Sequence, residues 1–432
     1  MIGAKNTMGK LLGATALLSL AFAPSASAQG SASCEATVAD YNYTLGTQAI
    51  GSPYQFTRES SLVEQAREIQ GFGSNLLKLS LAEGAAARYG TADAASGAYT
   101  TLAYVKASAP IQQALDMDFH YYQAWVHSFT GAKWQDGVNA KEARAYYDEM
   151  YQLAEWLLSR YSGTGKVFML GNWEGDWLLA GGAGRKATPS MEAVGGMIDW
   201  LNIRQKAIDD AKARVPHEGV ELYHYVELNL ALKGMEGKRS IAESVLPKTN
   251  IDLVSYSSYE AIKRSPKPDL DSIRQPLAQI VQYVEGQLKP KPGLPFERRI
   301  FIGEYGYHAD KTKPLTVKQQ FIKSRYVMQV ALELDLPFAL IWQFYNNEYA
   351  PNGTSKEMSM IDEAGEKRAL YYLHKSYFQA MRSYVADTCS QTGAAPDRAA
   401  FRSRALKVLE GISFADMQTL AEQGIPAANA PS

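Results

Sequence analysis

The stretch Val167-Phe168-Met169-Leu170-Gly171-Asn172-Trp173-Glu174-Gly175-Asp176-Trp177 decides how the rest of the chain is read. A short apolar run stops abruptly at an amide, two indoles and two carboxylates, the pattern of a buried parallel strand leaving the core and entering a site. The pattern recurs downstream, where Arg299-Ile300-Phe301-Ile302-Gly303 runs into Glu304-Tyr305-Gly306-Tyr307-His308. Either glutamate alone reads equally well as a helix cap or an ion-pair partner. As a pair, flanked by aromatic rings and by glycines that permit close approach, they are the equipment for glycosidic bond cleavage. One carboxyl donates a proton to the leaving oxygen while the other attacks or activates water.

Outward from these two strands the chain alternates. Strands are expected over residues 43–50, 74–81, 119–127, 220–228, 252–259 and 338–344 besides the two quoted. Helical spacing occupies 60–69, 111–115, 140–161, 191–215, 240–245, 271–288, 317–334 and 367–383. Eight short apolar strands alternating with eight helices predict an α/β fold of the closed parallel (β/α)8 type, the TIM barrel. An open doubly wound sheet is disfavoured because no glycine-rich phosphate loop follows the first strand. Residues 82–110, rich in Ala, Gly, Ser and Thr, read as a long surface loop, and 345–358 as another loop at the cleft. Beyond the repeat, 397–410 and 414–423 have amphipathic spacing and predict a short C-terminal helical appendage, followed by a frayed Ala/Pro-rich tail.

The domain organisation expected is an export signal over 1–28, a barrel over 34–388 and the appendage and tail over 389–432. Lys5 and Lys10 precede an apolar run from Leu11 to Ala23, and Ala26-Ser27-Ala28 supplies a small-residue cleavage pattern, so a secreted or periplasmic location is expected. That run is too short for a membrane span, and no later segment is long and apolar enough to be one. Only two cysteines occur, Cys34 and Cys389, near opposite ends of the mature chain. In an oxidising compartment they are expected to be bonded, and a barrel would bring them together, its last helix ending at the floor where the first strand begins.

With 44 basic against 45 acidic side chains the net charge is −1. No overall field draws such a chain to nucleic acid or an anionic membrane. The 26 tyrosines and 7 tryptophans supply flat amphipathic surface on which sugar faces stack. Six histidines invite a metal reading, with His120, His127, His224 and His308 near strand ends, but neither a His-x-His pair nor His at i and i+4 occurs. No metal or cofactor is expected; His127, His224 and His308 are expected to contact substrate hydroxyls or the core.

Over residues 43–383 the chain resembles the clan A glycoside hydrolases, retaining enzymes whose barrels carry a proton-donating Glu after strand four and a nucleophilic Glu at the end of strand seven. Ile302-Gly303-Glu304-Tyr305-Gly306 is similar to that clan's nucleophile strand. Asn172 and Glu174 are similar to its Asn-Glu pair, adjacent in the clan but separated here by Trp173. The resemblance implies Glu304 as nucleophile and Glu174 as acid/base. Asp176, beside Trp177, is the rival acid, its other reading being a helix cap. Lys78 stands where the clan commonly has an Arg near the nucleophile. Tyr256 or Tyr259 is placed to bond Glu304, and Trp342 resembles the clan's sugar platform. Trp125, Trp173 and the histidines already named complete the expected carbohydrate contacts. Burial against Trp173 or Trp177 should keep Glu174 protonated, the more desolvated of the two, while a tyrosine hydroxyl or Lys78 keeps Glu304 ionised. The alternative reading is a carbohydrate-binding barrel that has lost turnover.

Overall fold

The chain was analysed as a computed structural model, which describes residues 34–131, 133–263, 269–310 and 314–424. The expected export signal lies outside the described residues. Eight parallel strands run β1 (Leu45–Thr47), β2 (Leu76–Ser80), β3 (Tyr121–Trp125), β4 (Val167–Gly171), β5 (Glu221–Leu228), β6 (Leu253–Ser257), β7 (Ile300–Tyr305) and β8 (Ala339–Ile341). Each pairs with its sequence neighbours, and β1 pairs with β8. The ring closes where Gln48 bridges Lys78 and the Ala49 N–H donates to the Lys78 carbonyl at 2.8 Å. A closed ring leaves no strand edge exposed, and every strand is covered on both faces, which is why all eight read as nearly continuous apolar runs.

Alternate residues nonetheless face opposite sides. The barrel interior is filled by Leu76, Met169, Tyr223, Tyr225, Leu253, Phe301, Phe338 and Leu340, with Phe301 and Phe338 edge to face at 5.8 Å. The outward residues of the same strands, such as Leu77, Leu79, Leu222, Val226 and Val254, join the layer of helices. The long helices are α1 (Ser61–Gly71), α2 (Ala109–Asp116), α3 (Ala140–Arg160), α4 (Met191–Arg214), α5 (Leu270–Gln287), α6 (Pro314–Glu333) and α7 (Ala369–Thr392). Local sequence fixes their starts: Asn139 and Glu142 form a reciprocal capping box at α3, and Ser60, Ser108 and Ser190 each accept a backbone N–H at the head of α1, α2 and α4.

One expectation is corrected. Residues 82–110 are not a structureless loop but a string of helical turns, Glu83–Ala86, Ala87–Tyr89, Ala92–Ser96 and Thr101–Ala107. Their alanines favour helix, and Tyr89 and Tyr104 are buried beneath them, the Tyr89 hydroxyl donating to the Ala49 carbonyl at 2.6 Å. The brief helix expected over 240–245 is present as the π-helical turn Ile241–Val245, preceded by the short helix Ala231–Met235.

After α7 the chain forms α8 (Arg398–Gly411) and α9 (Phe414–Glu422). Phe401 packs on Tyr41 at 4.8 Å, Arg398 donates to the Asn42 carbonyl at 2.8 Å, and Phe414 meets Phe321 at 5.4 Å. These contacts seal the floor at which β1 begins. Cys34 and Cys389 are bonded there, their Cα atoms 5.6 Å apart and 355 positions apart in sequence. Closing a loop that long restricts the unfolded chain by about 6 kcal/mol in the entropy model. The variant C34S/C389S should therefore melt well below the parent under oxidising conditions and coincide with the reduced parent; equal melting temperatures before and after reduction would refute a stabilising role.

Candidate active site

The site is built on polar residues that the strands point inward at their C-terminal ends, the face on which barrel enzymes assemble their chemistry. Lys78 on β2 and Glu227 on β5 are both fully buried, and their charges meet across the barrel at 3.2 Å. Neither charge is tolerable alone at that depth. The Lys78 ammonium also donates to the Gly303 carbonyl at 3.0 Å, and Glu227 accepts the Ser255 hydroxyl from β6 at 2.7 Å. Gly303 is required here, since a Cβ on it would lie 1.7 Å from Ser255 Oγ and 2.9 Å from Glu227 Oε2.

Glu304 follows immediately. Strict alternation from Phe301, which faces the interior, would send Glu304 outward. The register of β7 slips against both β6 and β8 at this end of the strand, an irregularity of the kind that re-aims side chains beside sites. Glu304 thereby lines the cleft, with Ser258 fixing its carbonyl through both backbone and hydroxyl. Its Oε2 accepts the Tyr259 hydroxyl at 3.1 Å, and its Oε1 lies 4.0 Å from the Lys78 ammonium with no hydrogen-bond partner among the described residues.

Glu174 sits half-buried at the head of the short helix Gly175–Leu179. Its backbone N–H donates to Glu227 Oε1 at 3.0 Å, and its Oε2 accepts the Trp177 indole N–H at 2.5 Å. Burial and then the nearby Glu227 charge push its carboxyl up to about 7, against the opposing pull of Trp177 and Lys78. The expectation that Glu174 would be the more desolvated of the two is corrected: Glu304 is the deeper, 3% exposed, and burial followed by the Glu227 charge raises it well above the ordinary carboxylate range. Lys78 and the Tyr259 hydroxyl oppose that rise and are the donors that favour the ionised form of Glu304.

The two glutamates open into one cleft of about 890 Å³ whose lining also includes Trp125, His127, Trp173, Trp177, His308 and Trp342. Trp125 and Trp342 stack at 5.9 Å, Trp173 stands edge-on to Trp125 at 6.3 Å, and the Lys78 ammonium lies 4.7 Å from the Trp125 ring. The Nε1 of both buried indoles, Ser257 Oγ and Asn347 Oδ1, all on this lining, have no hydrogen-bond partner among the described residues. Orphaned buried donors and acceptors are costly unless a polar ligand completes them. Burial and the Arg204 charge push His127 down to about 4, so its ring is neutral. Among the described residues no group of three or more His, Cys, Asp and Glu is arranged to hold a metal ion.

Four residues expected at the site are elsewhere. Asp176 is turned away from the cleft: Oδ2 accepts the N–H groups of Asn229 and Leu230, and Oδ1 that of Ile241, so the rival acid is a staple for the β5–β6 crossover. Asn172 spends its amide on the β5 backbone, donating to the Glu227 carbonyl at 3.3 Å. His224 and Tyr256 occupy the outward positions of β5 and β6, the first buried and held neutral by desolvation, the second with its hydroxyl on Glu260 at 3.4 Å. Of the two candidate tyrosines it is Tyr259 that reaches Glu304. Lys78, also expected to contact substrate, is fully buried and off the cleft lining; it adjoins the site through Glu304, 4.0 Å away. Glu227 was missed because it reads as one more residue of a buried strand; the available signal was its place at i+2 and i+4 from Tyr225 and Tyr223, a charge on the inward face.

No protein-family model matches the sequence, nor does any curated protein. Among solved structures the chain is similar to a β-glucuronidase of Bacteroides uniformis, at 12% identity and a TM-score of 0.48, over 79% of this chain and 35% of that one. It is also similar to a family 39 glycoside hydrolase of Bacteroides cellulosilyticus WH2, at 9% identity and a TM-score of 0.47, over 78% of this chain and 64% of that one. A family 5 xyloglucanase of Paenibacillus pabuli is matched at 10% identity and a TM-score of 0.46, over 86% of this chain and 99% of that one. The chain thus spans about a third of the length of the first.

If the Glu227 charge helps hold the proton on Glu174, E227Q should lower the midpoint at which the Glu174 carboxyl titrates, read by ¹³C NMR of labelled glutamate. An unchanged midpoint would remove Glu227 from that role.

Proposed function

We propose that the protein is a secreted glycoside hydrolase acting on a poly- or oligosaccharide by a retaining double displacement. The observation that carries this reading is the convergence of Glu174 and Glu304 on one tryptophan-walled cleft, linked underneath by Glu227. Ionised Glu304 attacks the anomeric carbon as Glu174 passes its proton to the departing oxygen, so one C–O bond forms as another breaks. Water then enters, Glu174 takes its proton, and the oxygen attacks the anomeric carbon to release Glu304. The Tyr259 hydroxyl and the Lys78 ammonium steady the negative charge on Glu304 between turnovers. Trp125 and Trp342 offer ring faces and free N–H donors of the kind a sugar ring and its hydroxyls require. The paired cysteines and the N-terminal apolar run support an oxidising, extracytoplasmic setting.

The protonated form of Glu174 is the active one in the first step, so kcat/KM should fall as pH rises through about 7. A rate flat through pH 9 on a cleavable glycan would contradict the assignment. E304Q should abolish turnover, by at least about 10³-fold, without a change in melting temperature. Small anions such as azide should restore turnover in E174A on an activated aryl glycoside. Oligosaccharide binding with no reducing ends released across a broad panel would instead make the protein a carbohydrate-binding barrel.

A further inference from the structure

One wall of the cleft carries charge that the proposed chemistry does not use. On the side formed by the segments after β6, β7 and β8, the basic residues Lys263, His308 and Lys356 and the acidic residues Glu260 and Glu348 line the same space, joined by Arg185 from the segment after β4. The acids are spoken for: Glu260 receives Arg185 at 3.4 Å and the Leu232 N–H at 2.9 Å, and Glu348 receives Lys356 at 2.8 Å. The Lys263 side chain has neither hydrogen bond nor ion pair among the described residues; its ammonium lies 4.5 Å from the centre of the Tyr259 ring, whose hydroxyl bonds Glu304. His308 is likewise without a polar partner among them.

These basic groups face one another. Partial burial and then the charges of Lys263 and Lys356 lower the proton affinity of His308, with Glu348 opposing, so its ring is a neutral donor. Around Lys263 the acids within range are Glu348 and Glu174, and the cations are Lys356 and Arg185. With Arg185 and Lys356 each paired to an acid, Lys263 is the cation of this wall left without a paired acid among the described residues, and a negative ligand would complete it. The indole donors of Trp125 and Trp342, without partners among the described residues, are on the same lining and are open to a polar ligand in the same space.

Building on the glycosidase reading, we infer that the substrate is an anionic saccharide and that Lys263, with His308 beside it, receives the negative group of a sugar held against Tyr259. A uronic acid carboxylate and a sulfate ester share that chemistry, and a lysine, as a point charge, accepts either.

The test compares wild type, K263M and K263R on polygalacturonate, glucuronoxylan and alginate, on the carboxyl-reduced form of each, on a sulfated galactan and on a neutral β-glucan. The expected result is a kcat/KM that favours an acidic glycan over its reduced partner, with that preference falling roughly tenfold or more in K263M, mainly through KM, and largely restored in K263R. Preference for the sulfated galactan would identify the ester as the group received. Equal use of acidic and reduced partners, or a preference that K263M leaves untouched, overturns the inference; if E304Q still abolishes that turnover, the glycosidase reading stands. Should no glycan be cleaved, calorimetric binding of the same oligosaccharides to wild type and K263M decides the point independently of turnover, and equal affinity for charged and reduced partners overturns it.

Discussion

The contact on which the rest of the site depends is the ion pair between Lys78 and Glu227, drawn across the inside of the barrel with both side chains fully removed from water. Breaking a pair at that depth leaves one charge without compensation and costs about 3–5 kcal/mol. It therefore fixes two strands opposite each other in the ring. Each partner then spends its remaining capacity on a neighbour. Lys78 reaches the Gly303 carbonyl and the edge of Glu304, while Glu227 takes the Ser255 hydroxyl and the Glu174 backbone N–H. Both outer carboxylates thus adjoin one buried couple, besides their own partners Tyr259 and Ser258 at Glu304 and Trp177 at Glu174.

The same couple sets the electrical character of the cleft. Three carboxylates and one ammonium in a low-dielectric space cannot all carry their charges. The negative charge of Glu227 disfavours ionisation of both neighbours, and the donors on Glu304, the Tyr259 hydroxyl and the Lys78 ammonium, differ from the single indole on Glu174. Both carboxyls are raised, Glu304 the further, and the Tyr259 hydroxyl and the Lys78 ammonium are the groups that oppose the rise at Glu304. Backbone geometry serves this arrangement at Gly303, where the side chains of Ser255 and Glu227 occupy the place of a Cβ.

Much of the barrel was legible. Apolar runs bounded by turn residues gave all eight strands within two or three positions, because strands covered on both faces leave few polar interruptions. The exceptions were the Ala-rich segment after β2, where Thr100 and Ser108 act as caps rather than loop formers, and the short helix Ala231–Met235 after β5, which had no expected counterpart. At the site, Glu174, Glu304, Trp125, Trp173, His127, His308 and Trp342 lie on the cleft. Asp176, Asn172, His224 and Tyr256 do not, although each stands near a strand end as the others do.

By itself the sequence determined the alternation that closes into a barrel, the two strands that end in glutamates beside aromatic rings, and the pair of cysteines available for bonding. These follow from local periodicity and from composition, both of which are written along the chain. Only the tertiary structure decided that Tyr259 rather than Tyr256 meets Glu304, that Asp176 binds backbone, and that Glu227 underlies both outer carboxylates. In a strand buried on both faces, hydrophobicity does not distinguish the interior of the barrel from its helical jacket. A polar side chain's partner, moreover, comes from across the ring, as Lys78 and Glu227 are brought together over 149 positions of sequence.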